Sequence, residues 1–403
     1  MSPGHAAAIE PGSGSLSAAL HLVHTEGPIR RSELTSRLGL SRGAVGSLVE
    51  ELRVQQLVAV ETSPLPVGDT GRPSHLVSPH PDGPVAVAVA LSAQTFRVAL
   101  VGLGGVLIAP TEHRLPQPTT PGRVLPAVAR AVLAVLASTS RRCVGVGLAV
   151  PSAVSRDDEH ALAALYLGWP AAVPVRDRMI DLLGPSATGR IHVGNDANLA
   201  ALAEHRHGAG AGATDMLFLA TGQRGVGGAL VAAGRLHTGS AGYALEVGHL
   251  TVDPGGRHCH CGSRGCLDVE ADPVAVLTAA GRRPRGDVEA AARRVLAAAA
   301  TDPRARAAAE QVADRLGVGL AGLVNLFNPD RIVLGGLHAQ LLDAVPGRVA
   351  EVVRERSFLS AASQVPICSG RLAGDGGLLG AGELALQQVL DQPRRWSASE
   401  WPA

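Results

Sequence analysis

Apolar residues recur at helical spacing through the opening of the chain. Leu16, Leu20 and Val23 stand at i, i+4 and i+7, one stripe of a first helix. Ser32 is placed to cap a second, short helix carrying Leu34 and Leu38, and Gly39 to end it in the left-handed conformation that glycine tolerates. Ser41 begins a third helix, with Val45, Leu48, Val49 and Leu52 at i, i+3, i+4 and i+7. A strand is expected at 57–60, and 75–77 returns beside it after a Pro/Gly loop.

Three short helices with a tight turn before the third, then a two-stranded wing, follow the plan of a winged helix-turn-helix. The third helix of that motif enters the major groove by its N-terminal turns. The outward positions there are Arg42, Gly43, Ala44, Gly46 and Ser47, behind the Ser41 cap, and Arg42 is the candidate for a base or phosphate contact. Arg30, Arg31 and Arg37 are placed for phosphates, and Arg72 in the wing loop for a minor groove. Gly43 and Gly46 each weaken the helix by about 1 kcal/mol relative to alanine, leaving a thin surface with few side chains to read bases. The competing reading, a small helical bundle with solvated arginines, draws on the near-cancellation of acids and bases over the first 80 residues.

From Val85 the pattern changes. Strand-like segments at 85–91, 97–101, 144–148 and 191–193 alternate with a helical one at 127–137, which predicts an α/β unit. The organisation expected is a DNA-binding domain over 1–62, wing return and linker over 63–84, and one large unit over 85–403.

Four places in that unit carry candidate chemistry. In Asn195-Asp196-Ala197-Asn198, a carboxylate follows a strand and opens an Ala-rich helix. That position suits accepting a hydrogen bond from a substrate hydroxyl, although plain N-capping explains it equally. The glycine-rich run Thr221 to Gly228 follows a strand at 216–220 and lets backbone amides approach phosphate, as plain turns also do. Glu246-Val247-Gly248-His249 is followed by Cys259-His260-Cys261-Gly262-Ser263-Arg264-Gly265-Cys266-Leu267-Asp268. Three thiolates and one imidazole complete a tetrahedral structural Zn2+ site, with His249 the first choice and His258 or His260 alternatives. Glu246 and Asp268 flank that knot and, with Asp196, form a carboxylate ring suited to a polyol. The fourth place, the strand Arg331 to Leu334 running into Gly335-Gly336, needs no more than an ordinary strand-loop junction.

Composition narrows the chemistry. All 36 basic residues are arginine, which excludes a Walker-A loop and any lysine Schiff base. A formal net charge of +1 gives no global pull toward nucleic acid, so any DNA contact is local. Five cysteines, three of them within eight residues, argue for metal ligation rather than disulfides. With no secretory pattern near Met1 and no apolar run of membrane-spanning length, the expected location is cytoplasmic.

Taken together, these motifs resemble the ROK family (repressors, open reading frames and kinases). The cysteine run is similar to its Cys-x-Cys-Gly-x-x-Gly-Cys-x-Glu signature, Glu246 to His249 to its Glu-x-Gly-His, and Asn195 to Asn198 to its Asn-Asp-x-Asn. Leu167-Gly168-Trp169, Ile332 to Gly336, Gly370-Arg371-Leu372 and Gly380-Ala381 fit further landmarks, and Gly71-Arg72-Pro73 after a winged helix resembles the repressor branch. The resemblance implies an actin/hexokinase-like fold of two α/β lobes, at about 85–192 plus the C-terminal helix and about 193–378. It implies sugar contacts by Asn195, Asp196, Glu246, His249 and Asp268, and zinc on His249, Cys259, Cys261 and Cys266.

In the kinase branch Asp196 would be the general base that activates a sugar hydroxyl toward ATP. Family kinases, however, carry an Asp-x-Gly-Gly-Thr-like phosphate loop where this chain reads Ala90-Leu91-Ser92-Ala93-Gln94-Thr95. Phosphoryl transfer rests on positioning and charge neutralisation, so kinase activity is expected to be lost. Ala220 and Gln223-Arg224 alter the second loop, and Asp268 reaches about one methylene less than the family glutamate. The expectation is a sugar-responsive, DNA-binding regulator of carbohydrate genes, a repressor. It would be a homodimer or higher homo-oligomer that takes operator DNA and a sugar or sugar phosphate, with no membrane partner. An ATP-dependent sugar kinase is the alternative.

Overall fold

The computed structural model describes residues 14–62, 75–157, 159–169, 171–184, 187, 190–222, 225–358 and 364–396. The chain opens with α1 (Ser15–Glu26), β1 (Ile29–Arg30), α2 (Arg31–Leu38), α3 (Arg42–Val54), β2 (Val58–Thr62) and β3 (His75–Pro79). The expected stripes are buried except at Leu48, which is half-buried: Leu16, Leu20 and Val23 from α1, Leu34 and Leu38 from α2, and Val45, Val49 and Leu52 from α3. Gly39 ends α2 at φ 64°, and the Ser41 Oγ accepts the Ala44 N–H at 3.2 Å to start α3. Ser32 does not cap α2, because the helix begins one residue earlier, at Arg31. The sheet has the order β1-β3-β2, all antiparallel; β1, which joins the expected pair, has two residues and is too short to show any alternation. Arg72 and its Gly-Arg-Pro neighbours lie outside the described residues.

The first lobe contains β4 (Val85–Leu91), β5 (Thr95–Gly102), β6 (Val106–Arg114), α4 (Pro121–Ala137), β7 (Cys143–Val150), α5 (Val175–Leu183) and β8 (Ile191–Asn195). Its sheet runs β6-β5-β4-β7-β8, with β7 and β8 parallel to β4. Then α6 (Asp196–His207) leads to β9 (Met216–Thr221), β10 (Val226–Ala232) and β11 (Arg235–His237). They are followed by α7 (Leu267–Glu270), α8 (Pro273–Ala279), α9 (Val288–Ala297), α10 (Pro303–Phe327), β12 (Arg331–Gly335), α11 (Leu337–Ala344), α12 (Arg348–Arg356) and β13 (Ile367–Ser369). The second sheet, β11-β10-β9-β12-β13, repeats the first: each opens with an antiparallel meander and adds two parallel strands beside its first. The last helix, α13 (Gly376–Asp391), returns to the first lobe against β4, β7 and α6.

Residue size on β4 explains how α13 seats. Val85, Val87, Val89 and Leu91 face one core with α4, while Ala86 and Ala88 face the other, on the side of α13. Small residues on that side let backbone meet backbone. A Cβ on Gly147 of β7 would strike the Ala381 carbonyl, and one on Gly380 would strike the Leu199 carbonyl of α6. The three-helix module is not a separate ball. Leu16, Val23 and Val77 share one apolar cluster with Ala88, Val101, Leu386 and Trp396. Among the described residues no helix is long and apolar enough to cross a membrane.

Candidate functional site

The junction of β8 and α6 lies between the lobes. Asn195 caps α6, its Oδ1 accepting the Asn198 N–H at 2.9 Å while its Nδ2 donates to the Ser152 carbonyl at 3.0 Å. Asp196 is the first residue of the helix, with Oδ1 accepting the Ala197 N–H at 2.9 Å. Burial, with the neighbouring Glu246 carboxylate, pushes the Asp196 carboxyl up to about 6 against the opposing pull of the Ala197 amide. Glu246 is raised too, by burial and by Asp268, against the opposing effect of His249. Glu246 thus acts on Asp196, and Asp268 acts on Glu246.

Asp268 has its own partners. Its Oδ1 accepts the Val226 N–H at 2.7 Å, and its Oδ2 accepts the Tyr166 hydroxyl at 3.0 Å and lies 2.8 Å from His260 Nε2. Tyr166 was not singled out from sequence, although it stands directly before Leu167-Gly168-Trp169. The signal was its neighbourhood rather than its type. His260 also lies 2.9 Å from the Tyr166 hydroxyl, and its ring converges with both Asp268 and the Cys259 thiol.

The metal-type donors converge elsewhere. One ligand atom each from His249, Cys259, Cys261 and Cys266 lies within 4.8 Å of the others. The Cys261 and Cys266 sulfurs are 3.7 Å apart, and Cys259 Sγ is 3.7 Å from His249 Nδ1. A tetrahedral zinc with bonds of about 2.3 Å to sulfur and 2.0–2.1 Å to nitrogen has edges of about 3.6–3.8 Å. The donor set thus fits in chemistry and in span. Gly262 (φ 94°) and Gly265 (φ 63°) supply the left-handed turns of the loop, and a Cβ on Gly265 would strike the Asp253 carbonyl. His258 faces Arg264 instead.

Where a kinase of this kind would hold phosphate, the first turn is closed on itself. The Ser92 N–H donates to the Thr95 carbonyl at 2.9 Å, and the Thr95 N–H donates back to the Ser92 hydroxyl at 3.2 Å. At the second loop the Thr221 hydroxyl accepts the Leu337 N–H at 2.8 Å; Gln223 and Arg224 lie outside the described residues. Gly336 (φ 59°) packs on the Thr221 carbonyl where no Cβ would fit, so the Gly335-Gly336 pair is accounted for by packing.

On the N-terminal module Ser41, Arg42, Ala44 and Ser47 are exposed, with the Ser47 hydroxyl donating to the Gly43 carbonyl at 3.3 Å. Arg31 is half-buried beside them. Arg37 does not offer a free guanidinium to phosphate, because both its terminal nitrogens bind Glu26 at 2.8 Å.

Two α/β lobes of duplicated topology, with Asp196 opening α6 and a Cys3His cluster in the second lobe, have a sugar-kinase-like fold. The chain belongs to the ROK family, whose model matches residues 86–388. Its relatives include both enzymes and regulators. It is 32% identical to a glucokinase of Halalkalibacterium halodurans over 259 residues, 61% of this chain and 77% of the enzyme. It is 27% identical to the DNA-binding transcriptional dual regulator NagC of Escherichia coli over 333 residues, 79% of each. Among solved structures, a ROK family transcriptional regulator homologous to the E. coli MLC protein superposes with a TM-score of 0.73 at 24% identity, covering 93% of this chain and 96% of its own.

Proposed function

We propose that this protein is a sugar-responsive, DNA-binding transcriptional regulator of carbohydrate genes, a repressor in its simplest form. The N-terminal module serves as its winged helix-turn-helix and the ROK domain as its effector sensor. The observation that carries the reading is the exposed, Ser41-capped start of α3, built into the same apolar core as the lobe that ends at Asp196. Arg42, Ala44 and Ser47 then face the major groove, and Arg31 and the Ser41 turn take phosphates.

The sugar is held by Asn195, Asp196, Glu246 and His249, with Asp268 acting through Tyr166 and His260. Zinc on His249, Cys259, Cys261 and Cys266 fixes the loop that carries His249 and Asp268, a structural role. The effector is a sugar or sugar phosphate, and a homodimer matches the two half-sites such modules read.

The kinase reading is favoured by the glucokinase relatives and by Asp196, because a carboxyl near 6 at a helix start makes a competent base. The self-closed Ser92–Thr95 turn, with neither carboxylate nor glycine pair, opposes it. The test combines three measurements on purified full-length protein. Mobility shift on the DNA upstream of its own gene is expected to show binding that sugars modulate. Metal analysis is expected to give one zinc per chain. A coupled assay with ATP and hexoses is expected to stay at background. Turnover at ordinary enzyme rates without duplex binding would reverse the assignment.

A further inference from the structure

Far from the carboxylate ring, four polar side chains meet in the interior where the N-terminal module joins the ROK domain. His24 of α1 and Glu383 of α13 are both 0% exposed, and the His24 Nε2 lies 2.8 Å from Glu383 Oε2. Two residues that end α6 complete the group. Arg206 Nη1 donates to Glu383 Oε2 at 2.7 Å, and His207 Nε2 lies 3.1 Å from Glu383 Oε1. The second Arg206 nitrogen bonds Gln387.

The protonation pattern follows from geometry. The Gly104 N–H, in the β5–β6 turn, donates to His24 Nδ1 at 3.0 Å, so that nitrogen is a lone pair and Nε2 carries the proton given to Glu383. Burial also lowers the imidazole's affinity for a second proton. Burial pushes the Glu383 carboxyl up, but His24, His207 and Arg206 outweigh it and hold the group well below the ordinary carboxylate range. Although His24, His207 and Glu383 converge closely enough to suggest a metal, His24 Nε2 is already protonated and Arg206 already neutralises the carboxylate. The cluster is a hydrogen-bonded joint.

Its position gives it meaning. α6 begins at Asp196 and ends at Arg206 and His207, so one helix of twelve residues, about 18 Å long, runs from the carboxylate ring to the joint. It touches α13 in one lobe and β9 and β10 in the other, and at Gly380 and Leu199 the backbones of α13 and α6 are in direct contact. The β5–β6 turn seats on the same joint: a Cβ on Gly105 would meet the His207 ring, and one on Gly104 would meet Pro79 of β3. The contact of α1 with α13 continues outward through the Ser17 hydroxyl to the Leu390 carbonyl at 2.8 Å and His21 to Asp391 at 3.1 Å. A plain apolar contact would hold the module at least as firmly; directional bonds to a buried carboxylate make its orientation depend on where α6 ends.

We propose that the His24–Glu383–Arg206/His207 joint couples the two sites: effector binding at the Asp196 end of α6 reorients α1, and with it α3, through Glu383. This rests on the regulator reading above and names the positioning residues that would transmit its signal.

The test uses the full-length chain, the duplex upstream of its own gene and D-glucose, xylose and N-acetylglucosamine as probe sugars. Duplex affinity is measured with and without sugar, and sugar affinity by calorimetry with and without duplex; the two ratios must agree, since coupling is reciprocal. Two variants are compared, His24→Leu, which keeps volume but removes both bonds, and the less buried Arg206→Gln, which serves if the first does not fold. The expected result is sugar affinity within about twofold of wild type, duplex binding retained, and the coupling ratio reduced to within about twofold of unity. A folded variant with wild-type coupling overturns the joint's role while leaving the regulator reading intact. A wild-type chain that binds sugar and duplex with no mutual effect overturns both.

Discussion

At the scale of single residues, Asp196 offers the sharpest test. Its carboxyl titrates near 6 in the fold against an ordinary 3.8, so the folded chain holds its proton more tightly than the unfolded one. The resulting stabilisation is full below the unfolded value and is lost as pH rises through about 6. Sugar binding runs in the opposite sense, because a donating hydroxyl needs the anion. Lowering the pH from about 7 to about 5 should weaken sugar binding roughly tenfold by calorimetry, and Asp196→Asn should both lower affinity and flatten the profile. A variant with an unchanged profile would move the titration to Glu246. Tyr166 makes a second prediction. Tyr166→Phe releases Asp268 Oδ2 from one of its partners, should cost about 1 kcal/mol, and should reorder the sugars in a thermal-shift panel. An unaltered order would make Tyr166 a structural prop. The Asn195–Asp196, Glu246–His249 and cysteine motifs were legible in sequence because each is local. Tyr166 and Asp268 lie 102 positions apart and meet only through the fold, so neither the partner nor the engagement of Asp268 could be read from spacing.

At the scale of elements, α3 and the cysteine loop depend on few atoms. Ser41 supplies the only side-chain cap that starts α3 among the described residues, so Ser41→Ala should cost about 1 kcal/mol in denaturant unfolding and weaken duplex binding with it. Cys266 is fully buried in the loop that opens α7, and Cys266→Ser should abolish stoichiometric zinc and lower the midpoint of thermal unfolding by several degrees. Retention of full zinc would require another ligand set. Amphipathic stripes made α1, α2 and α3 legible within a residue or two; α2 and α3 bury one face each, whereas α1 is also buried on a second side, where Ser17 and His24 meet α13. The duplicated sheets were not legible as a repeat. Their likeness is one of strand order, while VAVAVAL in β4 and MLFLAT in β9 share no side-chain pattern. Nor does sequence alone announce the seat of α13: Gly147 reads as an ordinary small residue, and Gly380, although part of a family landmark, shows its packing role only when two backbones are brought together.

At the scale of the whole molecule, charge decides how DNA is approached. Thirty-six arginines against 35 acids leave a net charge of +1, and much of the positive charge is spent internally, as Arg37 on Glu26 and Arg53 on Glu50 show. No long-range field therefore draws the chain to a duplex, and affinity must come from the few guanidinium groups around α3. Arg30, Arg31 and Arg42 give three per module, six in the homodimer proposed above. At a slope of about 0.9 per neutralised phosphate, the logarithm of duplex affinity should fall against the logarithm of salt with a slope of about −5. Arg42→Ala should reduce that slope by about 1 per protomer if its contact is to phosphate. If it reads a base instead, the variant keeps the slope and loses discrimination between the promoter duplex and scrambled DNA. Fluorescence anisotropy titrations at four or five salt concentrations separate these outcomes. A slope near zero for the wild type would mean that α3 does not meet DNA at all, and the solvated-bundle reading of the module would replace it.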